Sequence, residues 1–199
     1  MSIQELRQSM RVRRNAIPSY EQDIAAKNIA KHILATTIYQ RSQHIAVYWA
    51  VGGEINLQPL IEGAWAQGKR CYLPVVQGQR MAFVDYSADT EMSNNVFGIP
   101  EPISVRAAIK AADLDLVLTP LVAFDCKGNR LGMGGGYYDR TFNFLLSPWS
   151  DVNAGGEKQH SPVLMGVAHA CQEVDQLHAE SWDVPLHRVV TDQGVKTNK

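Results

Sequence analysis

The stretch that decides the fold is Asn129–Arg140, NRLGMGGGYYDR. Its glycines follow an apolar run, Leu116–Phe124, and precede a segment that reads as a helix over Tyr137–Leu146. A glycine-rich turn from a strand's carboxyl end into a helix is where open α/β sheets bind ligands. Glycine lets the backbone approach a ligand and take positive φ, and the first N–H groups of a helix are free to face an anion. Arg130 and Arg140 bracket the turn, and arginine suits bidentate phosphate contact. Asp139 falls in the helix's first turn, where it either complements the dipole or helps hold a magnesium ion beside phosphates. No Gly-Lys-Ser/Thr follows, so this is not a Walker A loop, and a third glycine is missing for a dinucleotide fingerprint. The residues alone leave two readings open, a phosphate cradle and a purely structural turn.

Working outward, apolar strand-like runs alternate with helical patterns. HIAVYWA (44–50), RCYLPVV (70–76), MAFVDYS (81–87), the run at 116–124, VLMGVAH (163–169) and HRVVTD (187–192) read as strands. Pro120 should break or bend its strand. Helices are expected over 2–16, from Ser19 to about Leu34, and over 57–68 with Gly68 as the stop. Ser19 with Gln22 reads as a capping box. NNVFGIPEP (94–102) reads as a loop, SPWSDVNAGGEKQHS (147–161) as an exposed insertion, and VKTNK (195–199) as a frayed tail. Continuous apolar strands alternating with helices indicate an α/β protein with a mostly parallel, covered sheet, formed as one domain over residues 1–199.

Composition excludes several classes. The 199 residues are 45% hydrophobic and carry a net charge of −1, so neither wholesale disorder nor a basic field for nucleic acid is indicated. Three dispersed cysteines form neither a disulfide framework nor a zinc pattern and are expected as buried or half-buried free thiols. The N-terminus lacks the apolar core of a secretory signal and no segment reads as a membrane span, so the protein is expected to be soluble and cytoplasmic. Arg7, Arg11 and Arg14 fall on one face of the first helix. Without interleaved aromatics they read as a solvated stripe more readily than a nucleic-acid patch.

The segment 116–140, LVLTPLVAFDCKGNRLGMGGGYYDR, closely resembles the hallmark of 5-formyltetrahydrofolate cyclo-ligases. It carries together Phe124-Asp125, Gly128, Arg130-Leu131-Gly132, Gly134 and Gly136-Tyr137-Tyr138-Asp139. Glu54 after a Tyr-Trp strand end, Leu73-Pro74, Gly98–Pro102, Gln172 and Trp182–Pro185 follow in the family's order. The resemblance implies a Rossmann-like three-layer α/β sandwich of the NagB/RpiA/CoA-transferase type. It also implies ATP- and Mg²⁺-dependent closure of 5-formyltetrahydrofolate to 5,10-methenyltetrahydrofolate, with release of ADP and phosphate through an N5-iminium phosphate. The implied ATP contacts are Arg7, Arg130, Leu131, Gly132, Met133, Gly134, Gly135, Gly136, Tyr137 and Tyr138. Those to the folate are Trp49, Glu54, Met133, Gly134, Gly135, Gly136 and Tyr137. Arg130 and Tyr137 would act in catalysis, and Asp139 and Asp183 would hold magnesium. Where the family has a lysine four residues before Arg7, this chain has Ile3. The expected partners are the folate and ATP, with no nucleic acid and no membrane, for a monomer. A sugar-phosphate isomerase or acyl-CoA enzyme on a similar scaffold, and a non-catalytic folate or nucleotide binder, are the competing readings.

Overall fold

A computed structural model describes residues 2–96, 98–104, 108–146 and 162–197. The exposed insertion expected at 147–161 lies wholly outside these residues. In chain order the elements are α1 (Ile3–Asn15), α2 (Ser19–Leu34), α3 (Thr37–Arg41), β1 (His44–Ala46), α4 (Gln58–Ala66), β2 (Arg70–Gln77), β3 (Arg80–Tyr86), β4 (Met92–Asn94), β5 (Pro100–Pro102), β6 (Ala108–Ile109), β7 (Leu116–Pro120), β8 (Ala123–Phe124), β9 (Arg130–Leu131), α5 (Tyr137–Phe142), β10 (Val163–Val167), β11 (Arg188–Thr191) and β12 (Gly194–Thr197). One eight-stranded sheet runs in the order β12-β11-β10-β7-β1-β2-β3-β6. The strands from β11 through β2 are parallel to one another, while β12, β3 and β6 add antiparallel edges.

Apolar residues on both faces of the parallel strands explain the continuous hydrophobic runs. Ile45, Val47, Leu116, Leu118, Met165 and Val167 face α2 and α4, where Ile29, Ile33 and Leu60 complete a core. Ala46, Val117 and Leu164 alternate with them onto the opposite face, against Phe83, Phe142 and Leu186. Each fully buried isoleucine or leucine contributes about 1.5–3 kcal/mol. A third cluster, Met10 with Val122, Ala123, Leu131 and Leu177, seats α1 on the β8–β9 hairpin.

The layered fold and mostly parallel sheet agree with the expectation, and the strand through Thr119–Pro120 breaks there before resuming as β8. Four local readings need correction. The strand expected over 44–50 pairs only through Ala46, with Val47 N–H still reaching Tyr72 O at 2.8 Å. Pro18, not Ser19, occupies the N-cap of α2, and Gln22 donates instead to Ile17 O at 2.8 Å. The capping box belongs to α1, where Ser2 and Glu5 bond reciprocally. The tail is not wholly frayed: Gly194–Thr197 is β12, paired antiparallel to β11. Of the cysteines only Cys71 is buried; Cys126 and Cys171 are exposed, and all three are free thiols.

Gly166 is closely packed within β10. A Cβ there would stand 2.6 Å from Leu186 Cδ1 and 2.8 Å from Leu121 Cδ2. Overpacking of this kind costs about 1–3 kcal/mol, so Gly166→Val should lower unfolding free energy by that amount in urea titration. An unchanged midpoint would contradict this packing.

Candidate active site

The chain passes from β1 through α4 to β2 on one side, and later places β7 on the other side of β1. The connections leaving the carboxyl ends of β1 and β7 therefore diverge, and open α/β sheets bind ligands at such a switch point. The loop after β1 carries Trp49 through Glu54, and the chain after β7 carries Leu121 and Val122. α1 crosses this edge because Met10 is buried against the β8–β9 hairpin.

Two arginines of α1 reach down from it. Arg7 donates through Nε to Gly132 O at 3.0 Å, and its guanidinium lies alongside Gly134, with Cζ 3.6 Å and Nη2 3.7 Å from where a Cβ would stand. Arg14 is 2% exposed and donates to Gly52 O at 2.9 Å and Leu121 O at 3.3 Å. Its Nη1 is 3.7 Å from Glu54 Oε1. Burial pulls the Arg14 guanidinium below its usual range, with Glu54 opposing. Burial pushes the Glu54 carboxyl above the usual carboxylate range, opposed by the Val51 N–H and Arg14. Ile3, one turn before Arg7, is 54% exposed.

The glycine loop, Gly132–Gly136, is shaped by its own neighbours. Gly134 and Gly136 take φ of 97° and 64°, a region costly for other residues. A Cβ on Gly136 would also stand 2.5 Å from Arg140 Nη1. Arg140 donates to Gly135 O at 2.6 Å and to Gln79 O at 2.7 Å, and its guanidinium lies 5.1 Å from the Tyr137 ring centre. Arg140 thus ties the loop to the β2–β3 turn. Leu131 is buried, while Met133 is 56% exposed. The α5 helix that follows has only six residues before a 3₁₀ turn, Asn143–Leu146.

Arg130 and Asp139, expected on phosphate and metal respectively, are partnered with each other. Arg130 Nη2 donates to Asp139 Oδ1 at 2.5 Å, and Nη1 donates to Val184 O. Val184 N–H returns to Asp139 Oδ1 at 3.2 Å. Asp183 immediately precedes Val184 and accepts from Glu180 N–H at 2.9 Å. Asp139 thus bonds the residue that follows Asp183, although 44 positions separate the two aspartates in sequence (183 − 139). Tyr138 stacks on Phe142 at 6.3 Å. Its hydroxyl is pushed up by burial, then by Glu54, with Arg130 opposing, so it lies in the field of both groups.

A cavity of about 420 Å³ opens beside Glu54, bordered by Tyr48, Trp49, Gly53, Leu73 and Tyr86. That volume falls within the range of small-molecule sites. Trp49 is 39% exposed at its edge.

Sequence reasoning missed the singular position of Arg14, because three arginines at helical spacing look equivalent until α1 is seated. It also missed His169, which is buried with Nε2 3.2 Å from Gly53 O. Two hallmark residues are structural. Gln172 Nε2 donates to Leu121 O and Val122 O at 2.8 and 3.0 Å. Asp125 accepts from Lys127, Asn129 and Leu177 N–H groups and from Asn129 Nδ2.

The 5-formyltetrahydrofolate cyclo-ligase family profile matches residues 1–192. The chain belongs to that family. It is similar to the 5-formyltetrahydrofolate cyclo-ligases of Haemophilus influenzae, 39% identical over 94% of this chain and 96% of that one, and of Escherichia coli K12, 38% identical over 94% and 98%. Its fold is similar to the solution structure of the Aquifex aeolicus 5,10-methenyltetrahydrofolate synthetase, with a TM-score of 0.82 and 26% identity over 100% of this chain and 94% of that one. As a family member the chain is a ligase. Among the described residues no helix is long and apolar enough to cross a membrane.

Asp125 offers a test of this scaffold. Burial raises its pKa, but the Leu177 and Asn129 hydrogen bonds outweigh burial and the net shift is downward. A lowered folded pKa stabilises above the unfolded value and loses that contribution as pH falls through the folded one. Asp125→Ala should cost about 2–3 kcal/mol at neutral pH by leaving several donors unpaired. The deficit against the unmutated protein should shrink on acidification below the ordinary aspartate range. A deficit independent of pH in denaturant titrations would contradict this.

Proposed function

We propose that this chain, as a cytoplasmic monomer with one domain over residues 1–199, closes 5-formyltetrahydrofolate to 5,10-methenyltetrahydrofolate at the expense of ATP. The observation that carries the reading is the junction of two sites. Arg7, Arg130 and Arg140 gather on the glycine loop and its flanks, the buried Glu54 borders a cavity, and α1 links the two, with Arg7 on Gly132 O and Arg14 on Gly52 O and beside Glu54.

ATP would lie along Arg130–Tyr138, with Arg7 beside Gly134. The folate would sit in the cavity, its reduced pterin N–H groups donating to Glu54 and Trp49 forming an apolar wall. A formamide carbon is a poor electrophile, and its oxygen cannot leave as oxide. Transfer of the γ-phosphoryl to the formyl oxygen releases ADP and converts that oxygen into a leaving group on an N5-iminium carbon. N10 of the same molecule then attacks the carbon, gives up its proton, and the C–O bond breaks to release phosphate. The second step is intramolecular, so much of its rate comes from positioning. The first needs fixed positive charge around the transferred group more than a protein nucleophile. Arg7 and Arg130 supply that charge, and the Gly134–Gly136 backbone and Tyr137 hold both substrates against one surface.

Magnesium is usually held by one or two carboxylates plus phosphate oxygens. Asp139, which accepts from Val184 N–H, and Asp183, the residue before Val184, would supply those carboxylates. Among the described residues no cluster of three or more His, Cys, Asp or Glu would hold an ion without phosphate help. When bound, the ion would neutralise charge on the phosphates. Arg130 shares Asp139, so ATP and its ion would redistribute that pair.

The test is direct: protein, 5-formyltetrahydrofolate, ATP and Mg²⁺ should give an ATP-dependent rise in near-ultraviolet methenyl absorbance. Folded protein that gives none would refute the proposal. Arg130→Ala should lower kcat/KM by roughly 10²-fold or more while keeping its circular dichroism; normal turnover would remove Arg130 from the reaction. If the ionised Glu54 receives the pterin, the acid limb of kcat/KM for folate should lie above the ordinary carboxylate range, because burial raises this carboxyl. Glu54→Gln should abolish that limb; a limb that persists unchanged belongs to another group.

A further inference from the structure

Arg14 is the most buried charged side chain of α1, and nothing in the reaction uses it. A buried guanidinium is costly unless paired and hydrogen-bonded. Arg14 satisfies two carbonyls, Gly52 O and Leu121 O, one on each side of the opening between β1 and β7. Two carbonyls alone call for donors, and a neutral amide could supply them. Among the described residues the full positive charge of Arg14 is matched by the carboxylate of Glu54, 3.7 Å away. That distance is too long for a hydrogen bond. The charge therefore holds Oε1 electrostatically without using it as an acceptor, while Oε2 is fixed by the Val51 N–H at 3.1 Å. The loop is pressed against the end of α1 as well: a Cβ on Gly53 would stand 3.0 Å from Asn15 Oδ1 and 3.4 Å from Arg14 Cγ. On its other side His169 Nε2 meets Gly53 O.

Arg14 lies seven residues from Arg7 on one helix, a separation of about 10 Å along the axis. One rigid element thus grips the glycine loop with one arginine and the Glu54 loop with the other.

We propose that Arg14 is a positioning residue for the folate substrate, fixing the loop from Ala50 to Glu54 and aiming the Glu54 carboxylate into its cavity from the same helix that steadies the nucleotide loop. This rests on the reading of Glu54 as the folate carboxylate. A merely structural Arg14 would govern stability; a positioning Arg14 governs folate affinity and acts through Glu54.

The experiment compares Arg14→Met, Arg14→Lys, Glu54→Gln and the double variant Arg14→Met/Glu54→Gln, measuring KM for 5-formyltetrahydrofolate, KM for ATP and thermal midpoint. Each single variant should raise the folate KM by roughly tenfold or more and leave the ATP KM within about twofold of the native value. Lysine cannot span both carbonyls, so it should not rescue. The double variant should be no worse than the worse single, since both remove one arrangement. Strictly additive losses, or a lysine variant with a lower thermal midpoint but a native folate KM, would overturn the proposal, and the latter decides even if Arg14→Met does not fold. A native folate KM in Glu54→Gln would instead undo the Glu54 reading, and the role of Arg14 with it.

Discussion

Where the parallel strands β1 and β7 send their connections apart, the sheet opens, and carbonyls of both connections line the gap. The fork of Arg14 bridges that gap, bonding Gly52 O on one side and Leu121 O on the other. The bridge requires a long, charged side chain from above, which requires α1 to lie across the edge. Met10 and the β8–β9 hairpin hold it there. Once α1 is seated, Arg7 falls on the glycine loop without further machinery. The two halves of the site are thus held in register by one helix, not by separate loops finding their own positions.

The glycines serve this geometry more than flexibility. A Cβ on Gly136 would displace the Arg140 guanidinium, and positive φ at Gly134 and Gly136 bends the backbone into a shelf. Arg140 pins that shelf to the β2–β3 turn, and the Arg130–Asp139–Val184 clasp closes its far end. Arg7, Arg14, Arg130 and Arg140 each donate to a backbone carbonyl. That leaves a loop whose shape is set before any ligand arrives, which suits a reaction driven by positioning.

Much of the architecture was legible because it follows from local chemistry. Doubly apolar strands implied a covered parallel sheet, Pro120 broke its strand, and Gly68 ended a helix with φ of 71°. The hallmark segment carried the family. What stayed hidden depended on tertiary seating. Arg7, Arg11 and Arg14 share one face by spacing, yet only Arg14 is buried. Ser19 looked like a cap, but the preceding Pro18 takes that position and frees Gln22 for Ile17. The β12 edge has a short polar sequence whose strand conformation comes from pairing with β11. The bond from Val184 N–H to Asp139 could not be read from spacing, since it joins residues far apart in the chain.

The central claim is that nucleotide and folate lie against one backbone, gripped by one helix. A crystal structure with a non-hydrolysable ATP analogue, magnesium and 5-formyltetrahydrofolate tests it most directly. The account predicts the triphosphate along Gly132–Gly136 beside Arg7, the pterin on Glu54, and the formyl oxygen facing the terminal phosphate at about 3–3.5 Å. A nucleotide bound away from the glycine loop, or a pterin with no contact to Glu54, would contradict it.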